Sequence, residues 1–135
     1  MHKNKKQNNQ KIRVAVLMGG PSAEHEISLK TGRMILDNLD RVRYAARGFV
    51  ITRKVGWPIT PAQIKKNFDI VFIAMHGEYG EDGVVQSILD KYKITYTGSM
   101  VKASQLGMDK AKSAVLFQKA GLRVPEFTVL HVAPK

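Results

Sequence analysis

Short apolar runs alternate along the chain with amphipathic segments from Lys11 onward. Strands and crossover helices of a parallel sheet produce this rhythm, because each strand is covered on both faces while each helix keeps one wet side. Residues 12 to 18 are continuously apolar after Arg13, and Gly19-Gly20-Pro21 ends the run, so a first strand is predicted there. A helix should follow, since Ile27, Thr31, Met34, Ile35 and Leu39 recur at three- and four-residue steps. Glu24 and Glu26 stand at its front, where acidic groups suit the helix dipole.

Residues 44 to 53 predict a second, less regular strand, and Gly56-Trp57-Pro58 predicts a turn before a short polar helix over 61 to 67. Another apolar strand covers Ile70 to Met75, followed by the glycine- and acid-rich loop from His76 to Gly83. Val84, Val85, Ile88, Leu89 and Tyr92 fall on one helix face, and Ile94 to Thr97 predicts a fourth short strand. The last helical stretch, Val101 to Ala120, should break near Gly107, with Asp109 capping its second half and Gly121 and Pro125 stopping it. Phe127 to Val132 opens a further strand with no partner after it, which predicts a truncated frame rather than a finished fold. The expected class is α/β, a small doubly wound parallel sheet with helices on both faces.

At 135 residues, with 44% hydrophobic and 24% charged positions, one packed soluble domain is expected. The absence of cysteine excludes disulfides and thiolate metal sites. No apolar run approaches the roughly 18 residues that cross a bilayer, and the polar start lacks the apolar stretch of a secretory signal, so a cytoplasmic protein without a membrane partner is expected. The net charge of +11 raises nucleic acid as a partner. Lys3, Lys5, Lys6 and Lys11, however, belong to an Asn/Gln/Lys leader (residues 1 to 11) without apolar periodicity, expected to be a disordered tail. The other cations are scattered and no nucleic-acid-reading motif occurs, so no nucleic acid is expected to bind.

Ligands of open parallel sheets bind beyond the carboxyl ends of the strands, which directs attention to two loops. In the first, residues 19 to 26, paired glycines permit a sharp turn and the helix start offers free N–H groups. It matches neither G-x-G-x-x-G nor the P-loop, so a tight turn before an acidic helix start stands beside a binding role. In the second, His76 emerges at the end of an apolar strand beside Gly77, either as a ligand contact or as a satisfied structural histidine. His25 and His76 with nearby carboxylates raise a metal site, but their spacing matches no familiar ligand set and none is expected.

Four segments in order, GGPSAEHEIS (19 to 28), HGEYGEDG (76 to 83), YTGS (96 to 99) and MDK (108 to 110), resemble the signatures of D-alanine–D-alanine ligases of the ATP-grasp family. The resemblance runs from about Lys11 to Leu130; Pro21 stands where threonine is more usual, and residues 41 to 61 are weakly characteristic. It implies a Rossmann-like, pre-ATP-grasp substrate domain over residues 12 to 125, with 126 to 135 starting the ATP-grasp region. It also implies an activity of the intact enzyme. ATP phosphorylates the carboxylate of a first D-alanine, and the amine of a second attacks the acyl phosphate, giving the dipeptide used in peptidoglycan. ATP and magnesium are then held mostly by domains beyond this region, and a homodimer is implied. Glu24 would hold the ammonium of the first D-alanine, His76 its carboxylate region, and Ile27 its methyl group, while Lys110 would reach ATP phosphates. Ser28 is read as structural, and the 135-residue chain alone is expected to be inactive. Three other readings share parts of the pattern: a nonenzymatic small-molecule or nucleotide-binding domain, part of a ligase making D-alanyl-D-lactate or D-alanyl-D-serine, and a basic nucleic-acid-binding protein.

Overall fold

Strand β1 (Ile12–Gly19) forms the centre of a parallel three-stranded sheet, between β2 (Tyr44–Ile51) and β3 (Ile70–Ile73), in the order β2-β1-β3. Ile12 to Gly19 pair with Tyr44 to Ile51, and Val14 to Leu17 pair with Ile70 to Ile73. This computed structural model describes residues 10–130. The expected leader through residue 9 and the tail from residue 131 lie outside the described residues.

The continuous apolar run of β1 has its cause in two cores, because successive side chains of a strand point to opposite faces. Val14, Val16 and Met18 pack with Leu29, Ile35, Leu36 and Leu39 of the first helical region. Ala15 and Leu17 face the other way, against Ile51, Ile64, Val71, Val85, Leu89 and Ile94. Each fully buried aliphatic chain of this kind contributes about 1.5–3 kcal/mol relative to exposure. The sheet is therefore covered on both faces, as the pattern predicted.

Helix α1 (His25–Asn38) keeps part of the expected face, since Ile35 and the capping Leu39 pack on the core and Thr31 meets His76. Its buried positions are His25, Ser28 and Gly32, whereas Ile27 and Met34 are more than half exposed. Near the site the inward stripe is polar, lined by serine, threonine and glycine in place of Ile27 and Met34. Gly32 is small by necessity, as an added Cβ would lie 2.7 Å from Met18 of β1.

Helix α2 (Pro61–Asn67) starts on a full capping box. Thr60 Oγ1 accepts the Gln63 N–H at 3.2 Å, and Gln63 Oε1 accepts the Thr60 N–H at 3.0 Å, with Pro61 already at helical φ. Ile64 is its buried anchor, and α3 (Val84–Lys91) buries Val85, Gln86 and Leu89. The expected break in the last helical stretch is present, between α4 (Val101–Met108) and α5 (Lys110–Lys119). Asp109 caps α5 by accepting the Lys112 N–H at 2.9 Å. The Lys112 ammonium lies 2.8 Å from the same carboxylate and holds it below its usual range.

Two expected strands are corrected. Residues 94 to 97 form a single parallel bridge, Val71 with Tyr96, closed by the N–H of Val71 to the Thr95 carbonyl and that of Thr97 to the Val71 carbonyl. Left-handed backbone at Lys93 and Gly98 bounds the segment and leaves no length for a ladder. Phe127 to Leu130 form no strand, and no described segment pairs with them; residues 131 and 132 lie outside the described residues.

Candidate functional site

Both candidate loops leave the sheet at its carboxyl edge and meet there. Gly19 and Gly20 carry φ of +86° and +98°, a left-handed pair that turns the chain out of β1. His25 is buried below this turn, with Nδ1 2.6 Å from the Gly20 carbonyl, so it braces the loop. Glu24 follows at the N-cap position of α1, but its carboxylate does not cap the helix. It is exposed, and among the described residues it has no hydrogen-bond donor, which leaves both oxygens free for a ligand.

His76 is held by the first loop at both of its backbone groups. The Ser22 hydroxyl donates to its carbonyl at 2.7 Å, and its N–H donates to Ser28 Oγ at 2.9 Å. Ser28 is fully buried and passes its own proton to the Glu24 carbonyl at 3.1 Å. Ser22 Oγ also accepts the Glu24 N–H at 3.1 Å. Glu24 and His76, 52 positions apart, thus hang on one pair of serines. Each such bond contributes about 0.5–1.5 kcal/mol, and together they hold the two backbone segments in register.

Gly77 completes the contact. Its φ is +71°, a left-handed conformation that favours glycine, and an added Cβ would lie 2.7 Å from Glu24 Oε2, so the backbone passes close to that carboxylate. The His76 ring is about one-third exposed, with Nε2 2.9 Å from Thr31 Oγ1 of α1 and Nδ1 3.6 Å from Glu81 Oε1. Glu81 Oε2 accepts the Gly77 N–H at 2.8 Å and closes the loop on itself.

Beyond His76 and Glu81 lies an open cleft of about 450 Å³, lined by Ile73 and Met75, by Thr97 to Ser99 and by α4 residues Ala103, Ser104, Gly107 and Met108. Tyr79, another left-handed residue of the loop, anchors its far side. Its hydroxyl accepts the Trp57 indole N–H at 2.7 Å. Burial pushes that phenol above its ordinary value, the Trp57 bond opposes the shift, and Asp82 adds to it.

Of the four expected site residues, Glu24 and His76 are brought together. Ile27 is 56% exposed on α1, one residue before the buried Ser28. Lys110 does not line the 450 Å³ cleft; it is exposed and borders a separate hollow with Ala111, Ala114, Pro125 and Phe127. Ser22, Thr31 and Glu81 were missed as partners of the site. A polar stripe at Ser28, Thr31 and Gly32, on the helix side expected to be apolar, was the available signal. The metal reading of His25 and His76 finds no support: among the described residues no group of three or more His, Asp or Glu converges. No described helix is long and apolar enough to cross a membrane.

The family model described as D-ala D-ala ligase N-terminus matches residues 13–66 and 58–99. A D-alanine–D-alanine ligase of Nitrosomonas europaea is 43% identical over 123 residues, which is 91% of this chain and 39% of the relative. One from Halalkalibacterium halodurans is 44% identical over 124 residues, covering 89% of this chain and 38% of the relative. Among solved structures, the VanG D-Ala:D-Ser ligase from Enterococcus faecalis superposes with a TM-score of 0.78 at 26% identity, over 87% of this chain and 44% of that one. The D-alanine–D-alanine ligase from Coxiella burnetii does so with a TM-score of 0.78 at 25% identity, over 86% and 43%. The chain spans less than half the length of these relatives, and it belongs to the D-alanine–D-alanine ligase family, whose amino-terminal region it matches.

Proposed function

We propose that this chain supplies one wall of the first D-alanine site of a cytoplasmic, ATP-dependent D-alanine–D-alanine ligase serving peptidoglycan synthesis. The observation that carries the reading is the exposed, unpartnered Glu24 carboxylate close to Gly77, on a loop tied to His76 by Ser22 and Ser28. An α-amino acid presents an ammonium and a carboxylate on adjacent carbons, and this pair offers an acceptor and a donor for them. Glu24 receives the ammonium through a charge-assisted hydrogen bond, His76 faces the carboxylate, and Ile27 meets the methyl group. Because both loops are tied by Ser22 and Ser28, the substrate meets groups already in place rather than ones it must organise.

ATP supplies the phosphoryl group that activates that carboxylate, and the ammonium of Lys110 fits a phosphate contact, being exposed and without an ion-pair partner among the described residues. The α5 amino terminus does not add to it, since Asp109 already occupies the Lys112 amide. Magnesium finds no converging carboxylates in the described residues, so no step on this chain is assigned to it. The full reaction belongs to the intact protein, and the 135-residue chain alone is expected to release no phosphate from ATP when D-alanine is added.

Titration of the 135-residue chain with D-alanine, followed by amide NMR shifts, tests the assignment. Shifts should concentrate at residues 22 to 28 and 76 to 81. Glu24→Gln should weaken binding about 10- to 100-fold, the worth of a hydrogen bond to a charged group. Saturable binding unchanged by that substitution would refute the role of Glu24. The D-Ala:D-Ser ligase among the structural relatives motivates a second reading, in which the second substrate is D-serine. Comparing D-alanine with D-serine as acceptor in the intact protein decides between them.

A further inference from the structure

Thr31 lies one helical turn after Ser28, on the side of α1 that faces the His76 loop. A threonine inside a helix ordinarily donates its hydroxyl to the carbonyl four residues earlier. Ser28 does this, to Glu24, whereas the bond made by Thr31 Oγ1 among the described residues is to Nε2 of His76, at 2.9 Å. The other ring nitrogen, Nδ1, faces the Glu81 carboxylate at 3.6 Å.

A neutral imidazole has one N–H and one bare nitrogen, and the bond made by one nitrogen selects the state of the other. If Nε2 held the proton and donated to Thr31, the lone pair of Nδ1 would face the negative Glu81 carboxylate. With the proton on Nδ1, that nitrogen points a positive N–H edge at the carboxylate, and Nε2 accepts the Thr31 hydroxyl proton. The second arrangement replaces a repulsion by an attraction; at 3.6 Å the Nδ1–carboxylate contact is electrostatic rather than a hydrogen bond, which leaves the N–H available to a ligand. His76 and Glu81 both line the cleft, so the N–H that faces Glu81 lies at its wall.

We propose that Thr31 is a positioning residue: its hydroxyl anchors Nε2 of His76 and fixes the ring orientation in which the Glu81 carboxylate selects the tautomer protonated on Nδ1, presented beside Glu81 to the substrate cleft. The functional half of this proposal rests on the ligase reading above; the structural half does not. Under that reading, a substrate carboxylate meets the Nδ1 edge, and the Nε2 edge is never free for it.

Long-range ¹H–¹⁵N correlation of the histidine rings in the ¹⁵N-labelled chain, at a pH where the His76 ring is neutral, reads the tautomer directly. His76→Gln assigns the signals. The wild type should show a protonated Nδ1 and a bare Nε2. Thr31→Val, equal in shape and without a hydroxyl, should shift both resonances toward a mixture of tautomers, and Thr31→Ser should restore them. D-alanine titration is run on the same samples. Thr31→Val should bind about two- to tenfold more weakly, the worth of one neutral hydrogen bond, and Thr31→Ser within twofold of wild type. Amide spectra report whether Thr31→Val stays folded; should it not, Glu81→Gln serves in its place. Removing the carboxylate removes the preference for Nδ1–H, so the ring should again become a mixture.

A wild-type ring protonated at Nε2, or a tautomer indifferent to both Thr31→Val and Glu81→Gln, overturns the proposal. If the tautomer depends on Thr31 while D-alanine moves no resonance in any sample, the positioning stands and the ligase reading of the site fails. If D-alanine binds and Glu24→Gln abolishes it, while Thr31→Val matches wild type in both readouts, the ligase reading stands and the positioning role falls.

Discussion

Replacing Ser28 by alanine removes one oxygen from the junction of the two site loops, and the structure allows its cost to be worked out. Ser28 is fully buried, and its Oγ makes two bonds, accepting from the His76 N–H at 2.9 Å and donating to the Glu24 carbonyl at 3.1 Å. The second is redundant, because the Ser28 backbone N–H already satisfies that carbonyl at 2.9 Å. The loss therefore falls on the His76 amide, a donor left without a partner, at about 1–3 kcal/mol. The vacated space is less than a methylene and adds little. A domain of this size holds about 5–15 kcal/mol in total, so the change is visible but not fatal. Urea unfolding of the 135-residue chain should show a lower midpoint at unchanged slope, and melting should fall by roughly 4 °C per kcal/mol. The exposed Ser99 is the control, expected within about 0.5 kcal/mol on substitution by alanine. A Ser28→Ala loss no larger than that of Ser99→Ala would mean that the His76 amide finds water or another acceptor, and that the serine tie does not hold the loops together.

Two further outcomes concern stability alone. Leu89 is fully buried in the core beneath α3, so Leu89→Ala should lower unfolding free energy by about 2–5 kcal/mol; a loss below 1 kcal/mol by urea titration would show that this core collapses freely around the gap. Asp69 is held by Arg13 through two side-chain contacts and one backbone N–H, which lowers its carboxyl from 3.8 to about 2. A depressed folded-state value stabilises above the unfolded one, so this contribution is present above pH 4 and lost as pH falls toward 2. The gap between wild type and Asp69→Asn should therefore close across that window, and a gap constant from pH 5 to pH 2 would rule out the linkage.

The sheet was legible in the chain because its cause is local. The uninterrupted apolar run of β1 needs cover on both faces, and two cores provide it. Gly19-Gly20 and Asp109 acted where their chemistry requires, at a left-handed exit and a helix cap. The expected face of α1 held at Thr31, Ile35 and Leu39 and failed at Ile27 and Met34: Ser28 and Gly32 turn inward because their partners are a backbone amide and the close Met18 side chain, which an apolar pattern does not reveal. The fourth strand shrank to one bridge because extension between Lys93 and Gly98 is set by the turns at its ends.

By itself the sequence determined the alternation of strands and helices, the two loops that carry chemistry, and, through four ordered motifs, the family. Their residue types and spacings carry that information without any contact being known. Tertiary structure alone decided that the Glu24 and His76 loops are tied through two serines, that Lys110 borders a different hollow, and that Thr31 and Glu81 stand at opposite sides of one imidazole. These are relations between positions tens of residues apart, and hydrogen bonds a few ångströms long exist only once β1 and β3 have paired and brought their carboxyl ends together.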